Sequence, residues 1–272
     1  MEELEMTFPF ALQLGSYEIL LHTIFESAGY FIGFRYFLYL RKKQGDTIPV
    51  HNRIWIFIAS IFGAIAGSRL VGGLEDIEGL QSARSKLLYF YQNKTVLGGL
   101  LGGLVVVELV KKILKEKHSS GDLITYPFIV ALIIGRIGCF SMGVYENTYG
   151  TVTSLVTGMD LGDGLARHPV CLYEIGFLLL LLIMLALLEK RYVLSDGARF
   201  KLFMITYLCF RFLLDFIKPH YTFTIRLSTI QIAALLGLLY YAEDIIYLKR
   251  LVTKKCREDL RIKEATDQGK LF

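Results

Sequence analysis

The chain has 272 residues, 54% of them hydrophobic and 20% charged, with a formal net charge of +5. Its mean hydropathy is +0.48. This leaves no room for a separate soluble domain of normal size, and the apolar runs are too long and uniform for strands of an outer-membrane barrel.

A membrane-spanning helix needs about 20 largely apolar residues. Windows that meet this lie near residues 17–40, 54–74, 95–114, 123–145, 169–188, 199–218 and 227–248. The pattern predicts an all-α, polytopic membrane protein of about seven transmembrane helices, a single integral membrane domain covering residues 1–272. Lys and Arg cluster in alternate connections: Arg41, Lys42, Lys43 and Arg53; Lys111, Lys112, Lys115 and Lys117; Lys190, Arg191, Arg199 and Lys201; and a basic tail over 249–272. The positive-inside rule puts these in the cytoplasm. The acidic start MEELEM, with no basic region of a cleaved signal peptide, then lies outside and the C-terminus inside. The charge excess reads as a topology signal, not as a sign of nucleic acid.

In the second and third windows, Gly63 and Gly67, Gly98 and Gly102, and Gly99 and Gly103 are each four apart. Such spacing lets helix backbones approach closely. The Gly98-Gly99 doublet also offers backbone N–H groups to an anion.

The fourth window contains Arg136 and the sixth Arg211. A charge at the centre of a membrane helix costs about 2.5–3.5 kcal/mol, so an anionic partner is expected. At 1.5 Å per residue, Arg136 lies about 20 Å and Arg211 about 18 Å above the cytoplasmic ends of their helices, while Glu174 lies about 8 Å below the outer end of the fifth. All three reach one level in the outer leaflet. Tyr207, Arg211 and Asp215 share one helix face, so Asp215 is placed to pair with Arg211 and Tyr207 to bond whatever Arg211 holds. An ion pair that only fixes packing is the competing reading for Arg211. Arg136 has no acid three or four residues away, and its guanidinium suits bidentate phosphate recognition.

Between the fourth and fifth windows, residues 146–168 form a polar, Gly-rich extracytoplasmic loop ending in Arg167-His168-Pro169. Pro169 suits a helix start. His168 is either a general base or an interfacial anchor. Cys139, Cys171, Cys209 and Cys256 form no CxxC pair, and no metal, nucleotide-loop or GxSxG signature is present.

Three segments then resemble the prolipoprotein diacylglyceryl transferase family: GRIGCFSMG at 135–143, RHPVCLYE at 167–174, and Tyr207 with Arg211 and Asp215. GAIAGSRL at 63–70, LGGLLGG at 97–103 and LSTIQ at 227–231 extend the resemblance in the family's order. The resemblance implies an enzyme of the bacterial cytoplasmic (inner) membrane that moves diacylglyceryl from phosphatidylglycerol to the lipobox cysteine of a prolipoprotein signal peptide, without metal or cofactor. It implies catalytic roles for Arg136, Arg211, Tyr207 and His168, and substrate contacts from Arg69, Gly98, Gly99, Arg167, Glu174 and Asp215. Leu97 stands where the family places a histidine, Cys139 where it places an asparagine, and Met142-Gly143-Val144 where it places Asn-Gly-Glu. The phosphate-holding part matches and the proton-handling part does not, which leaves His168, Glu146 and His22 as substitutes. A non-catalytic phospholipid-binding protein or transporter, or a transferase with another acceptor, are the alternatives.

Overall fold

The computed structural model describes residues 8–219 and 227–254. The MEELEM segment, Cys256 and most of the basic tail lie outside the described residues. A hairpin opens the chain: β1 (Ala11–Leu14) pairs antiparallel with β2 (Tyr17–Leu20). The turn uses Gly15 at φ 66°, a region that costs glycine little. This hairpin takes the first residues of the 17–40 window, so the helix starts only at residue 21.

The remaining elements are α1 (Leu21–Gln44), α2 (Val50–Gly73), α3 (Ile77–Ser82), α4 (Lys86–Gln92), α5 (Val96–Ile113) and α6 (Asp122–Met142). Then come β3 (Met159–Asp160), β4 (Ala166–Arg167), α7 (Val170–Arg191), β5 (Tyr192–Leu194), α8 (Ala198–Leu214), α9 (Thr229–Tyr240), α10 (Ala242–Ile246), α11 (Leu248–Leu251) and β6 (Val252–Lys254). The architecture is helical as expected, with two-stranded ribbons β1–β2, β3–β4 and β5–β6 added. Short helices α3 and α4 fill the 75–94 connection, capped by Asp76 and Ser85 accepting from Gly79 N–H and Leu88 N–H.

Each predicted window contains a helix. Among the described residues, three helical segments are long and apolar enough to cross a membrane: Val50–Gly73, Asp122–Tyr145 and Val170–Arg191. Their outward faces are apolar, with Ile54, Ile58, Phe62 and Ile65 exposed on α2 and Leu179, Leu180, Ile183 and Leu187 on α7. A water-soluble surface rarely carries such continuous apolar patches, and these features fit a membrane protein. The last window is interrupted. Helix α9 stops at Tyr240, and the Tyr241 N–H turns back to the carbonyls of Gly237 and Leu238.

Glycine sets how α2 meets α5. A Cβ on Gly63 would lie 2.5 Å from the Gly102 carbonyl, and one on Gly67 would lie 2.7 Å from Gly102 Cα and closer still to the Gly98 carbonyl. Gly99 and Gly103 share the four-residue spacing, yet a Cβ there meets only ordinary contacts at 3.4 and 3.5 Å. Gly102→Leu is therefore expected to destabilise the protein by about 1–3 kcal/mol through overpacking, while Gly99→Ala is tolerated. Thermal unfolding of the two variants in detergent checks this; equal midpoints would contradict the interlock.

Helix α1 packs on α6 by the same device. A Cβ on Gly29 would lie 3.0 Å from the Ala131 carbonyl, and one on Gly138 would lie 3.1 Å from the His22 carbonyl. This brings the start of α1 against the last turn of α6.

Candidate functional site

Helices α6, α7 and α8 converge on Glu174, whose residue is only 1% exposed. Arg211 donates from a terminal nitrogen to Glu174 Oε2 at 2.8 Å. Arg136 Nε sits 2.9 Å from the same oxygen, although its N–H is not aligned for a hydrogen bond. Tyr207 donates its hydroxyl to Glu174 Oε1 at 2.6 Å. Its ring is fully buried and stacks on Phe203 at 5.7 Å between centroids, which fixes the donor. Charge-assisted hydrogen bonds of this kind are the strong ones.

One carboxylate offsets only one of the two guanidinium charges. Arg211 Nε is buried and has no hydrogen-bond partner among the described residues. A terminal nitrogen of Arg136 reaches Cys139 Sγ at 3.6 Å. Glu174, placed by helix rise at the level of both arginines, is their shared partner. Tyr207 does bond what Arg211 holds. Asp215 accepts from the Ser228 hydroxyl and so joins the end of α8 to the start of α9. Ser228 also caps α9 in a capping box with Gln231. Lys218 belongs to the same buried region, 3.8 Å from Glu75. Sequence reasoning passed over it, although it directly follows an apolar run.

The 146–168 loop is ordered by its own polar groups. Asp160 Oδ1 accepts from the N–H groups of Gly162, Asp163 and Gly164, an Asx-type closure. Arg167 donates to Asp163 at 2.7 Å, reaches the Gly150 carbonyl and lies over the Tyr149 ring. That partner holds the Asp163 carboxyl below its usual range. Arg167 is thus committed to the loop. His168 Nδ1 pairs with the Tyr173 hydroxyl at 3.2 Å. Arg69 lies over the Tyr91 ring. The Gly98 N–H is taken by the Thr95 hydroxyl and the Gly99 N–H by the Thr95 carbonyl. Both glycines are thereby occupied in the cap and helix contact of α5.

Residues 9–248 match the family model described as prolipoprotein diacylglyceryl transferase. The chain belongs to the prolipoprotein diacylglyceryl transferase family. Relatives named phosphatidylglycerol–prolipoprotein diacylglyceryl transferase include one from Ehrlichia ruminantium, 30% identical over 77% of this chain and 83% of its own. Another, from Bordetella bronchiseptica, is 28% identical over 77% and 82%. A third, from Campylobacter hominis, is 26% identical over 65% of both chains.

Within this family member, the departures noted in the sequence have definite surroundings. Leu97 is fully buried in the apolar core. Cys139 faces a second polar group, one helix turn from Arg136. His22 Nδ1 lies 3.3 Å from Glu146 Oε2, and His22 Nε2 lies 3.4 Å from Glu26 Oε2. Beside them a crevice is lined by Cys139, Gly143, Thr148, Tyr149, Val170 and Cys171. From sequence, His22 and Glu146 are only substitutes for a missing base, because the chain between them hides that they touch.

Proposed function

We propose that this chain is a phospholipid-dependent transferase that moves diacylglyceryl from phosphatidylglycerol to the thiol of a lipobox cysteine. In this reading seven helices span the bacterial inner membrane, with the N-terminus outside, the C-terminus cytoplasmic and the site at the outer leaflet. The observation that carries it is the pair of buried guanidiniums meeting at a single carboxylate, with Arg211 Nε unpartnered. The paired non-bridging oxygens of a phosphodiester suit the planar guanidinium fork. Family membership supports the same substrate class.

The chemistry needs little else from the arginines. A thiolate attacks the glycerol carbon that carries the phosphate ester, and the C–O electron pair leaves with glycerol phosphate. Charge grows on the departing phosphate, where Arg136 and Arg211 stabilise it. Glu174 and Tyr207 hold the guanidiniums in place before the lipid arrives, which spares reorganisation during the step.

Full burial of Leu97 at the family's histidine position favours a second reading, a phospholipid-binding protein without turnover. Purified protein in nanodiscs with labelled phosphatidylglycerol and a lipobox peptide separates the two. Transfer adds the diacylglyceryl mass to the cysteine peptide and not to its serine analogue. Lipid binding with no peptide modification, under conditions where the Ehrlichia ruminantium relative modifies it, would replace the transferase with the binding protein.

A further inference from the structure

His22, Cys139 and Glu146 come from three separate places: the first turn of α1, the last turn of α6 and the strand of chain just beyond its 3-10 turn. A ring nitrogen, Sγ and a carboxylate oxygen from the three all lie within 4.8 Å of one another. We propose that these three side chains form a zinc site whose fourth position takes the acceptor thiol. The site stands on its own geometry; the role of the thiol rests on the transferase reading above.

Ligand spacing comes first. Tetrahedral zinc binds nitrogen, oxygen and sulfur at about 2.0–2.3 Å, which separates neighbouring ligand atoms by about 3.3–3.7 Å on the same geometry. The His22 Nδ1 to Glu146 Oε2 distance is 3.3 Å. The approach is an ion-pair distance. Both atoms are buried, and neither has an aligned hydrogen-bond partner among the described residues. A ring nitrogen and a carboxylate oxygen held close in this way suit a shared cation.

The surroundings fix the histidine for this task. Its other nitrogen, Nε2, faces Glu26 at 3.4 Å, and Glu26 is itself held by Lys94 at 3.2 Å. A carboxylate behind the ring is the outer partner that orients metal-binding histidines. Arg136 contacts Cys139 Sγ at 3.6 Å. Gly138 lets α1 approach closely enough for the three to meet.

Ligand chemistry selects the metal. A thiolate with imidazole and carboxylate excludes the hard cations calcium and magnesium and suits zinc. Thiolate and carboxylate cancel the charge of the dication, so the bound site is neutral. Three protein ligands leave the open position typical of catalytic rather than structural zinc.

That position answers the missing base. Leu97 offers no proton acceptor, and the arginines are cations. A thiol that binds the metal loses its proton to solvent at neutral pH, because a coordinating thiol is deprotonated outright. The acceptor sulfur then forms the C–S bond as the C–O bond to glycerol phosphate breaks. The leaving phosphate, or the solvent, takes the released proton. The thioether product is neutral and a weaker ligand than the thiolate, so it can leave and water returns.

The test uses full-length protein in detergent, stripped with a chelator and dialysed against limiting zinc or cobalt. Elemental analysis is expected to give about one metal per chain, and cobalt a thiolate-to-metal charge-transfer band. Cys139→Ser is expected to abolish the band, and Glu146→Gln to weaken metal binding at least about tenfold. Adding a lipobox peptide shifts the cobalt spectrum, and its cysteine-to-serine analogue does not. Wild-type protein without metal above background, or Cys139→Ser with an unchanged band, overturns the site. A spectrum blind to the cysteine peptide overturns the thiol role. Intact metal binding and peptide response with no lipid transfer overturns the transferase reading and leaves the site standing. Size-exclusion profiles of the variants confirm that lost metal is not lost fold.

Discussion

Glu174→Ala lowers the stability of the purified protein by about 3–5 kcal/mol, the cost of removing one partner from a buried ion pair. The size follows from what Glu174 holds. Its two oxygens take Arg136, Arg211 and the Tyr207 hydroxyl, and the residue is 1% exposed. Its removal leaves two guanidiniums and a phenol with no anion between them, far from water. Glu174→Gln keeps one acceptor oxygen and loses the charge, so its loss is smaller. Thermal unfolding in a neutral detergent measures both variants. Phosphatidylglycerol added to the detergent returns more stability to Glu174→Gln than to wild type, because a phosphate replaces part of the lost negative charge. An alanine variant as stable as wild type would mean that the carboxylate is not the partner holding these helices together.

The contrast between what the sequence made legible and what it hid is clear at this carboxylate. Depth arithmetic along separate helices placed Arg136, Arg211 and Glu174 at one level, and they do meet. Rise per residue is a property of every α-helix, so level survives without knowledge of packing. Azimuth does not. Which way Glu174 faces depends on how α7 is rotated against α6 and α8, and nothing local in RHPVCLYE encodes that. Asp215 adds a contact that no local rule gives. The i, i+4 rule put it beside Arg211, and its carboxylate also takes the Ser228 hydroxyl at the cap of α9. Glycine spacing identified α2 and α5 as close partners. Spacing alone gave no way to tell Gly98 and Gly102, where a Cβ would clash with the partner backbone, from Gly99 and Gly103, where it would make ordinary contact. The His22, Cys139 and Glu146 group was hidden most fully. Each residue is ordinary in its own segment, and only the packing of α1 on α6 unites them.

Arg211→Lys reduces lipid transfer by about 10²–10³-fold in kcat, the usual effect of removing one preorganised donor from developing charge. The change keeps a positive charge next to Glu174 and removes the planar fork. Lysine is a point charge and cannot offer two parallel N–H groups to a phosphate. Its ammonium can still bond Glu174, so the helix junction is retained and the protein remains folded. Arg136→Lys produces a loss of similar order, and the double variant loses less than the product of the two, because both groups act on one phosphate. The division between kcat and KM carries the argument. A fall in kcat with little change in KM places the arginine contacts in the transition state, where charge passes to the leaving phosphate. A rise in KM alone would make them a docking site for the headgroup and remove them from the chemical step. Unfolding midpoints taken on the same preparations separate either outcome from simple loss of structure.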